Sequence, residues 1–223
     1  MRRLRGVAAN QEHFVALVEA RRGGEPLQYL EGTVQFGPVE VAVDARVLIP
    51  RPETEYMFDL AAKGAVAPRV IVDLCTGSGA LALALKHVFH AARVLGTDKS
   101  ADALSVARSN GTGVEWLQGD LFAALPEDLQ GEIDLLVANP PYVSAGEWEA
   151  LPTDVQQEPV EALVAGPKGT EVVERILTEL EVWMSPGGQA WVEIGESQGS
   201  LGERFGVEVV RDQYGVNRFL RWT

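Results

Sequence analysis

The chain is short of cysteine and histidine. It has one cysteine, Cys75, in 223 residues, so no internal disulfide can form, and a reducing cytoplasm is the expected compartment. Its three histidines, His13, His87 and His90, show no metal-ligand spacing. His87 and His90 stand three apart on one helical pattern and read as a solvated helix end. No apolar run approaches the roughly 20 residues needed to cross a bilayer, so no membrane association is expected. The basic start, MRRLRGVAANQEHF, lacks the apolar core of a signal peptide. Positive charge is also scarce: 19 Lys and Arg stand against 32 Asp and Glu, a net charge of −13. Such a field repels nucleic-acid phosphate at long range and suits a basic protein partner better.

What is present fits one sizeable domain with a small appendage: 46% hydrophobic and 23% charged residues are ordinary for a globular chain. QEHFVALVEARR (11–22) carries the spacing of an amphipathic helix, stopped by RRGGEP. LQYLEGTVQFGPVEVAVDARVLI alternates in short β-like stretches, a hairpin-like connector. PRPETEYMFDLAAKG opens a helix with Pro52 in its first turn. From Arg69 onward apolar strands alternate with helices: RVIVDL, ARVLGTD, VEWLQGD, EIDLLVA and QAWVEIG are strands. GALALALKHVF, SADALSVARSN and TEVVERILTELEVWM are helices, the last closed by Ser185-Pro186-Gly187-Gly188. Two final strands, GVEVVRD and NRFLRW, are too close for a crossover and must run antiparallel. The fold class is therefore α/β, a seven-stranded, mostly parallel sheet with an antiparallel C-terminal hairpin.

Three of these strands end in acids at one sheet edge. VDLCTGSG follows Asp73 with Gly77 and Gly79, which let the backbone pass close under a ligand. Asp98 ends GTD about 25 residues later, where an acid can bind both hydroxyls of a ribose or, more plainly, cap the next helix. Asp120 ends QGDLF, as a ligand contact or a turn residue. Three carboxylates repel a pyrophosphate. They suit a ligand carrying a ribose, an adenine and positive amino or sulfonium groups, as S-adenosylmethionine does. Asp73 then acts through the glycine loop on the amino group, and Asp120 with Leu121 borders the adenine.

NPPY, Asn139 to Tyr142, ends the next strand at the same edge. The side-chain oxygen of Asn139 and the backbone carbonyl of Pro140 are two acceptors for the protons of one –NH2 group. Tyr142 can lie against the planar group behind that nitrogen. A conjugated nitrogen is a poor nucleophile, so holding and aligning it is the help it needs.

EPLQYLEG, FGPVEVAVDARVLIPRPETE, VDLCTGSGALALAL, GTDKSADALSVARSN, GDLF, NPPY, EPVEAL, PGGQAWVEIGESQ and RDQYGVNRFL occur in the order found in the release-factor glutamine methyltransferases, which the chain resembles from about Glu25 onward. The resemblance implies a Rossmann-like, class I S-adenosylmethionine-dependent methyltransferase. It implies N5-methylation of the glutamine in the Gly-Gly-Gln loop of peptide-chain release factors. By that resemblance Asp73, Leu74, Cys75, Thr76, Gly77, Asp98, Leu121 and Asn139 contact the donor, and Asn139, Pro140, Pro141 and Tyr142 hold the glutamine. Arg51, Pro52 and Glu53 frame the pocket, and Glu158-Pro159 lies on a loop that covers the substrate or is merely solvated. Residues 1–24 are then a residual N-terminal helix, 25–50 the hairpin connector and 51–223 the methyltransferase domain. Three departures stand out: one helix where the family has several, Cys75 in place of a usual glycine, and Lys168 in AGPKG where an acid is common.

NPPY is shared with adenine-N6 methyltransferases, so an amino-group methyltransferase acting on nucleic acid or a small molecule is the alternative. A non-catalytic donor-binding protein is a third reading, which the intact quartet opposes. The charge balance leads to one test: the protein should show no tight, salt-sensitive binding to duplex DNA or RNA in a mobility-shift assay. Such binding would move the adenine alternative ahead.

Overall fold

The computed structural model describes residues 2–223. Two helices come first, α1 (Arg2–Val7) and α2 (Gln11–Arg22), the second capped by the Asn10 side chain accepting from the His13 amide at 2.8 Å. A third, α3 (Leu27–Glu31), occupies the start of the stretch whose alternation predicts β-structure. Its Leu27 and Leu30 pack with Leu4, Leu17 and Val18, and that burial outweighs the local pattern. The N-terminal part thus holds three short helices where the sequence suggests one.

The hairpin itself, β1 (Thr33–Phe36) and β2 (Val39–Ala42), turns at Gly37, which has φ +49°. It is pinned to the body of the molecule. Asn110 accepts from the Ala42 amide at 2.8 Å and donates to the carbonyls of Ala42 and Ser78 at 3.0 and 2.9 Å. Phe36 packs against Phe58 of α4 (Pro52–Gly64). Pro52 sits at the first helical position, and Glu53 and Glu55 follow in the positive first turn.

The body then alternates: β3 (Val70–Leu74), α5 (Ala80–Val88), β4 (Arg93–Asp98), α6 (Ala101–Asn110), β5 (Val114–Gln118) and β6 (Ile133–Ala138). Next come β7 (Val143–Ser144), α7 (Val160–Leu163), β8 (Val164–Gly166), α8 (Glu171–Trp183), β9 (Met184–Glu193), α9 (Ser200–Phe205), β10 (Glu208–Arg211) and β11 (Asn217–Trp222). The seven-stranded sheet has the order β10-β11-β9-β6-β3-β4-β5, with β11 antiparallel to both its neighbours and the rest parallel. The expected class is therefore observed.

Adjacent strand residues face opposite layers. Ile71, Leu135 and Trp191 join the core under α4, α5 and α6, while Val72, Leu136 and Val192 join the core under α8 and α9. One boundary differs from the pattern. Ser185-Pro186-Gly187-Gly188 is part of β9, because Met184 already pairs with Ile133 before the register shifts to Leu135–Gln189.

β3, β4 and β5 step outward in one direction, and the chain then returns to place β6 on the other side of β3. That reversal opens a crevice at the carboxyl ends of β3 and β6. Beyond it β7 pairs with β8 in parallel, which draws the AGPKG turn against the NPPY segment. Gly169 has φ +80°, and a Cβ there would lie 2.8 Å from the Tyr142 carbonyl oxygen and 2.9 Å from the Ser144 nitrogen. Gly169→Ala should therefore destabilise the protein by about 1–3 kcal/mol. An unchanged denaturant midpoint would rule this close approach out.

Candidate active site

A cavity of about 710 Å³ lies at the carboxyl ends of β3 to β6. Gly77, Asp98, Asp120, Leu121, Asn139 and Pro141 line it from the sheet side, and Ala45 to Leu48 together with Pro159, Glu161 and Ala162 at the start of α7 from above. A smaller hollow of about 50 Å³ adjoins it, with Leu48, Cys75, Gly77 and Asn139 common to both and Asp73, Thr76 and Thr54 on its own wall.

The loop after β3 turns through three left-handed residues, Cys75 (φ +58°), Gly77 (φ +54°) and Gly79 (φ +81°). Asp73 holds it: its Oδ2 accepts from the Thr76 hydroxyl at 2.5 Å and from the Ala82 amide at 3.1 Å. Burial raises its ionisation to about 7 against the pull of those hydrogen bonds. Asp98 braces the same loop, accepting from the Gly77 amide at 3.0 Å, and also receives the Ser100 amide at 2.9 Å. Asp98 therefore supports the entry to α6 while lining the large cavity, and burial raises its ionisation too. Asp120 lies at the rim, paired with Arg175 at 2.8 Å. The Thr97 hydroxyl, on a fully buried side chain lining the cavity, finds no partner among the described residues.

Not all of the expected residues gather there. Leu74 is wholly buried in the core on the α8 side, because strand alternation sends it to the face opposite Asp73, so its side chain lines neither cavity. Arg51, Glu53, Pro140 and Tyr142 line neither as well. Arg51 pairs with the buried Glu158 at 2.5 Å, and Glu158 also accepts from the Ile49 amide at 2.9 Å. Glu158 is thus a buried tie, not a solvated loop acid, and it joins the two loops over the cavity.

Behind NPPY is a group the sequence pattern does not single out. Glu193, the last residue of β9, is fully buried. Its Oε2 accepts from the Thr54 hydroxyl at 2.7 Å and its Oε1 from the Tyr142 phenol at 3.1 Å. Thr54 in turn accepts from Asn139 Nδ2 at 3.0 Å. Burial, then the charge of Glu193, holds the Tyr142 phenol well above its ordinary ionisation, so it stays a donor. Gln198 completes the frame, donating to the carbonyls of Tyr142 and Gly169 at 2.9 and 3.0 Å. Both PRPETE and VEIGESQ are visible as motifs, but only the fold shows that Thr54, Glu193 and Gln198 converge.

Besides the Thr97 hydroxyl, the outcome is a second unmet hydrogen-bonding group at the cavity. Asn139 Oδ1 is buried and has no hydrogen-bond donor among the described residues, while its own nitrogen is engaged. An acceptor left open beside a cavity is suited to an incoming N–H. Among the described residues no group of three or more His, Cys, Asp or Glu is placed to hold a metal ion.

Comparison with known proteins gives a consistent picture. A family model described as "Methyltransferase domain" matches residues 71–157. The release factor glutamine methyltransferase of Mycolicibacterium smegmatis is 45% identical over 185 residues, covering 81% of this chain and 65% of that protein. The one from Mycobacterium leprae is 46% identical over 188 residues with the same coverage. That of Rhodopirellula baltica is 35% identical over 229 residues, covering 93% of this chain and 76% of the relative. The chain thus spans about 65% of the length of the first two relatives. Among solved structures, a ribosomal protein L11 methylase from Lactobacillus delbrueckii aligns with a TM-score of 0.56 at 20% identity, covering 81% of this chain and 83% of that one. A methyltransferase from Pyrococcus furiosus aligns at 0.59 and 18%, covering 82% and 87%. At these identities the likeness shows the fold alone.

The geometry around Asp98 carries a direct test. Asp98→Ala removes a charged acceptor from the cavity wall, a change of about 1.5–3 kcal/mol, or roughly ten- to a hundredfold in affinity for S-adenosylmethionine. Calorimetric titration that finds wild-type affinity in a folded Asp98→Ala protein would remove Asp98 from the ligand's contacts.

Proposed function

The chain belongs to the release factor glutamine methyltransferase family, and from that premise we propose that it transfers a methyl group from S-adenosylmethionine to a protein glutamine. The side-chain nitrogen of the glutamine in the Gly-Gly-Gln loop of a peptide-chain release factor is the acceptor. The observation that carries this reading is the open acceptor Asn139 Oδ1 at the edge of the cavity.

The cavity's chemistry fits the donor. Its volume of about 710 Å³ is that of a cofactor site. Of the cations on its wall, Arg46 is paired with Asp44 at 2.6 Å and Arg175 with Asp120 at 2.8 Å, which leaves Lys99 beside the acids Asp98, Asp102 and Asp120, a balance poorly suited to a pyrophosphate. Asp98 stands at the end of the second parallel strand, where a ribose is held in this kind of sheet. The bound donor supplies an electrophilic methyl group on a sulfonium.

The chain's own residues handle the acceptor nitrogen. Asn139 Oδ1 takes one of its protons and so orients its lone pair; Pro140, whose carbonyl is the expected acceptor of the other, lines neither cavity, so Asn139 carries the grip. The same amide dipole stabilises the positive charge that grows on the nitrogen as its new bond forms. Tyr142 is not a base, since its proton is committed to Glu193. The surplus proton leaves after transfer. Work on a translation factor places the enzyme in the cytoplasm. Among the described residues no helix is long and apolar enough to cross a membrane.

Labelled donor incubated with purified release factor, followed by peptide mapping, should place the label on that glutamine. Label on nucleic acid instead would favour adenine methylation. Asn139→Ala should keep donor affinity within a few-fold and lose about a hundredfold or more in single-turnover rate. A folded, donor-bound Asn139→Ala enzyme transferring at the wild-type rate would reduce NPPY to a turn.

A further inference from the structure

Four hydrogen-bonding groups stand in a row behind the cavity: Tyr142, Glu193, Thr54 and Asn139. Their order has a direction. A carboxylate can only accept, and both oxygens of Glu193 face hydroxyls, Thr54 at 2.7 Å and Tyr142 at 3.1 Å. Thr54 has a single hydroxyl proton. With that hydrogen bond donated to Glu193, the Thr54 oxygen can only accept from Asn139, and Nδ2 at 3.0 Å fills it. An amide that turns its nitrogen toward Thr54 turns its oxygen away, which leaves Oδ1 buried and unpartnered beside the cavity.

Resting on the reading above, we propose that Glu193 is a positioning residue: its charge, relayed by the Thr54 hydroxyl, fixes the Asn139 amide so that Oδ1 and not Nδ2 meets the substrate nitrogen. The neutral acid has the opposite effect. A proton on Oε2 is donated to Thr54, and the Thr54 proton then points at Asn139. Only the amide oxygen can receive it, so the amide reverses and presents its own NH2 to the substrate NH2. Two donors then face each other and the clamp is lost.

The surroundings place this change in an accessible range. Burial is the largest influence on Glu193 and raises its ionisation to about 7. The Thr54 and Tyr142 hydroxyls and the Arg218 charge from β11 favour the ionised form, and Glu53 on α4 opposes it. Because the folded-state value is raised, the folded protein holds this proton more tightly than the unfolded chain. Glu193's contribution to stability therefore falls as pH rises from the ordinary carboxyl range through about 7. The form needed for activity is the less stable one, which separates positioning from a purely structural role.

The test uses the full chain with release factor and saturating donor, measuring single-turnover rate between roughly pH 6 and pH 9 beside thermal melting. The wild-type rate should rise through about pH 7 and level off. Glu193→Gln should be roughly tenfold or more slower above that pH, with its rising limb lost and its melting temperature not reduced. Asp73 ionises in the same range, but it is common to both proteins, so the difference between profiles reports Glu193. Thr54→Val should match the loss and Thr54→Ser should restore the rate to within about threefold, since serine keeps the hydroxyl. A Glu193→Gln or Thr54→Val enzyme with the wild-type rate and profile overturns the proposal. If Glu193→Gln does not fold, Thr54→Val decides. If the wild type methylates no release factor, the substrate reading fails separately, and the relay is read by NMR. The Asn139 side-chain NH2 signal of the 15N-labelled protein, assigned by its loss in Asn139→Ala, should then shift with a midpoint near 7. A signal indifferent to pH overturns the relay.

Discussion

A carboxylate with no contact to water must have its oxygens filled by donors, and Glu193 meets that condition with groups from two other segments. Thr54 comes from the first turn of α4 and Tyr142 from the loop after β6, while Glu193 itself ends β9. An uncompensated buried charge costs several kcal/mol, so the three segments are held in one arrangement. The amide of Asn139 hangs from that arrangement through Thr54. The PRPETE segment thereby has a physical reason for its composition: proline starts the helix, and the threonine one turn in reaches the strand end.

Strain is concentrated on the opposite wall. Cys75 and Leu121 are non-glycine residues at φ +58° and +53°, each in a conformation that costs roughly 1–2 kcal/mol. Both border the large cavity, where strands must turn sharply to leave room for a ligand. The hydrogen bonds of Asp73 and Asp98 to the glycine loop offset part of that strain. Cys75 occupies its position as a small side chain whose thiol is kept protonated, first by burial and then by the charge of Asp98. Its chemistry is quiet even beside the cavity.

The parallel sheet was legible because each strand announces itself locally, as a short apolar run closed by glycine, proline or an acid. The acids at the ends of β3, β4 and β5 were legible for the same reason. What escaped was set by distant partners. The start of β9 at Met184 depends on Ile133, and α3 depends on Leu4 and Leu17 from helices earlier in the chain. Glu193 lies 139 residues from Thr54 and 51 from Tyr142, and the period of its strand says only that it points inward. Arg51 looks like a pocket residue in sequence, yet its guanidinium is spent on Glu158. The motif names a region of the chain and is silent about which way each side chain turns.

The first turn of α4 links these facts. Arg51, just before it, is tied to Glu158 and through it to the loop above the large cavity; Thr54, inside it, is tied to Glu193 and Asn139. A helical turn is short and stiff, so the two ties cannot move independently. The loop that borders the cavity and the amide of Asn139 are thus referred to the same few atoms of backbone. Methyl transfer requires two reacting atoms to meet within a few tenths of an ångström of a productive line. On the function proposed above, referring both halves of the site to one rigid turn meets that requirement by position.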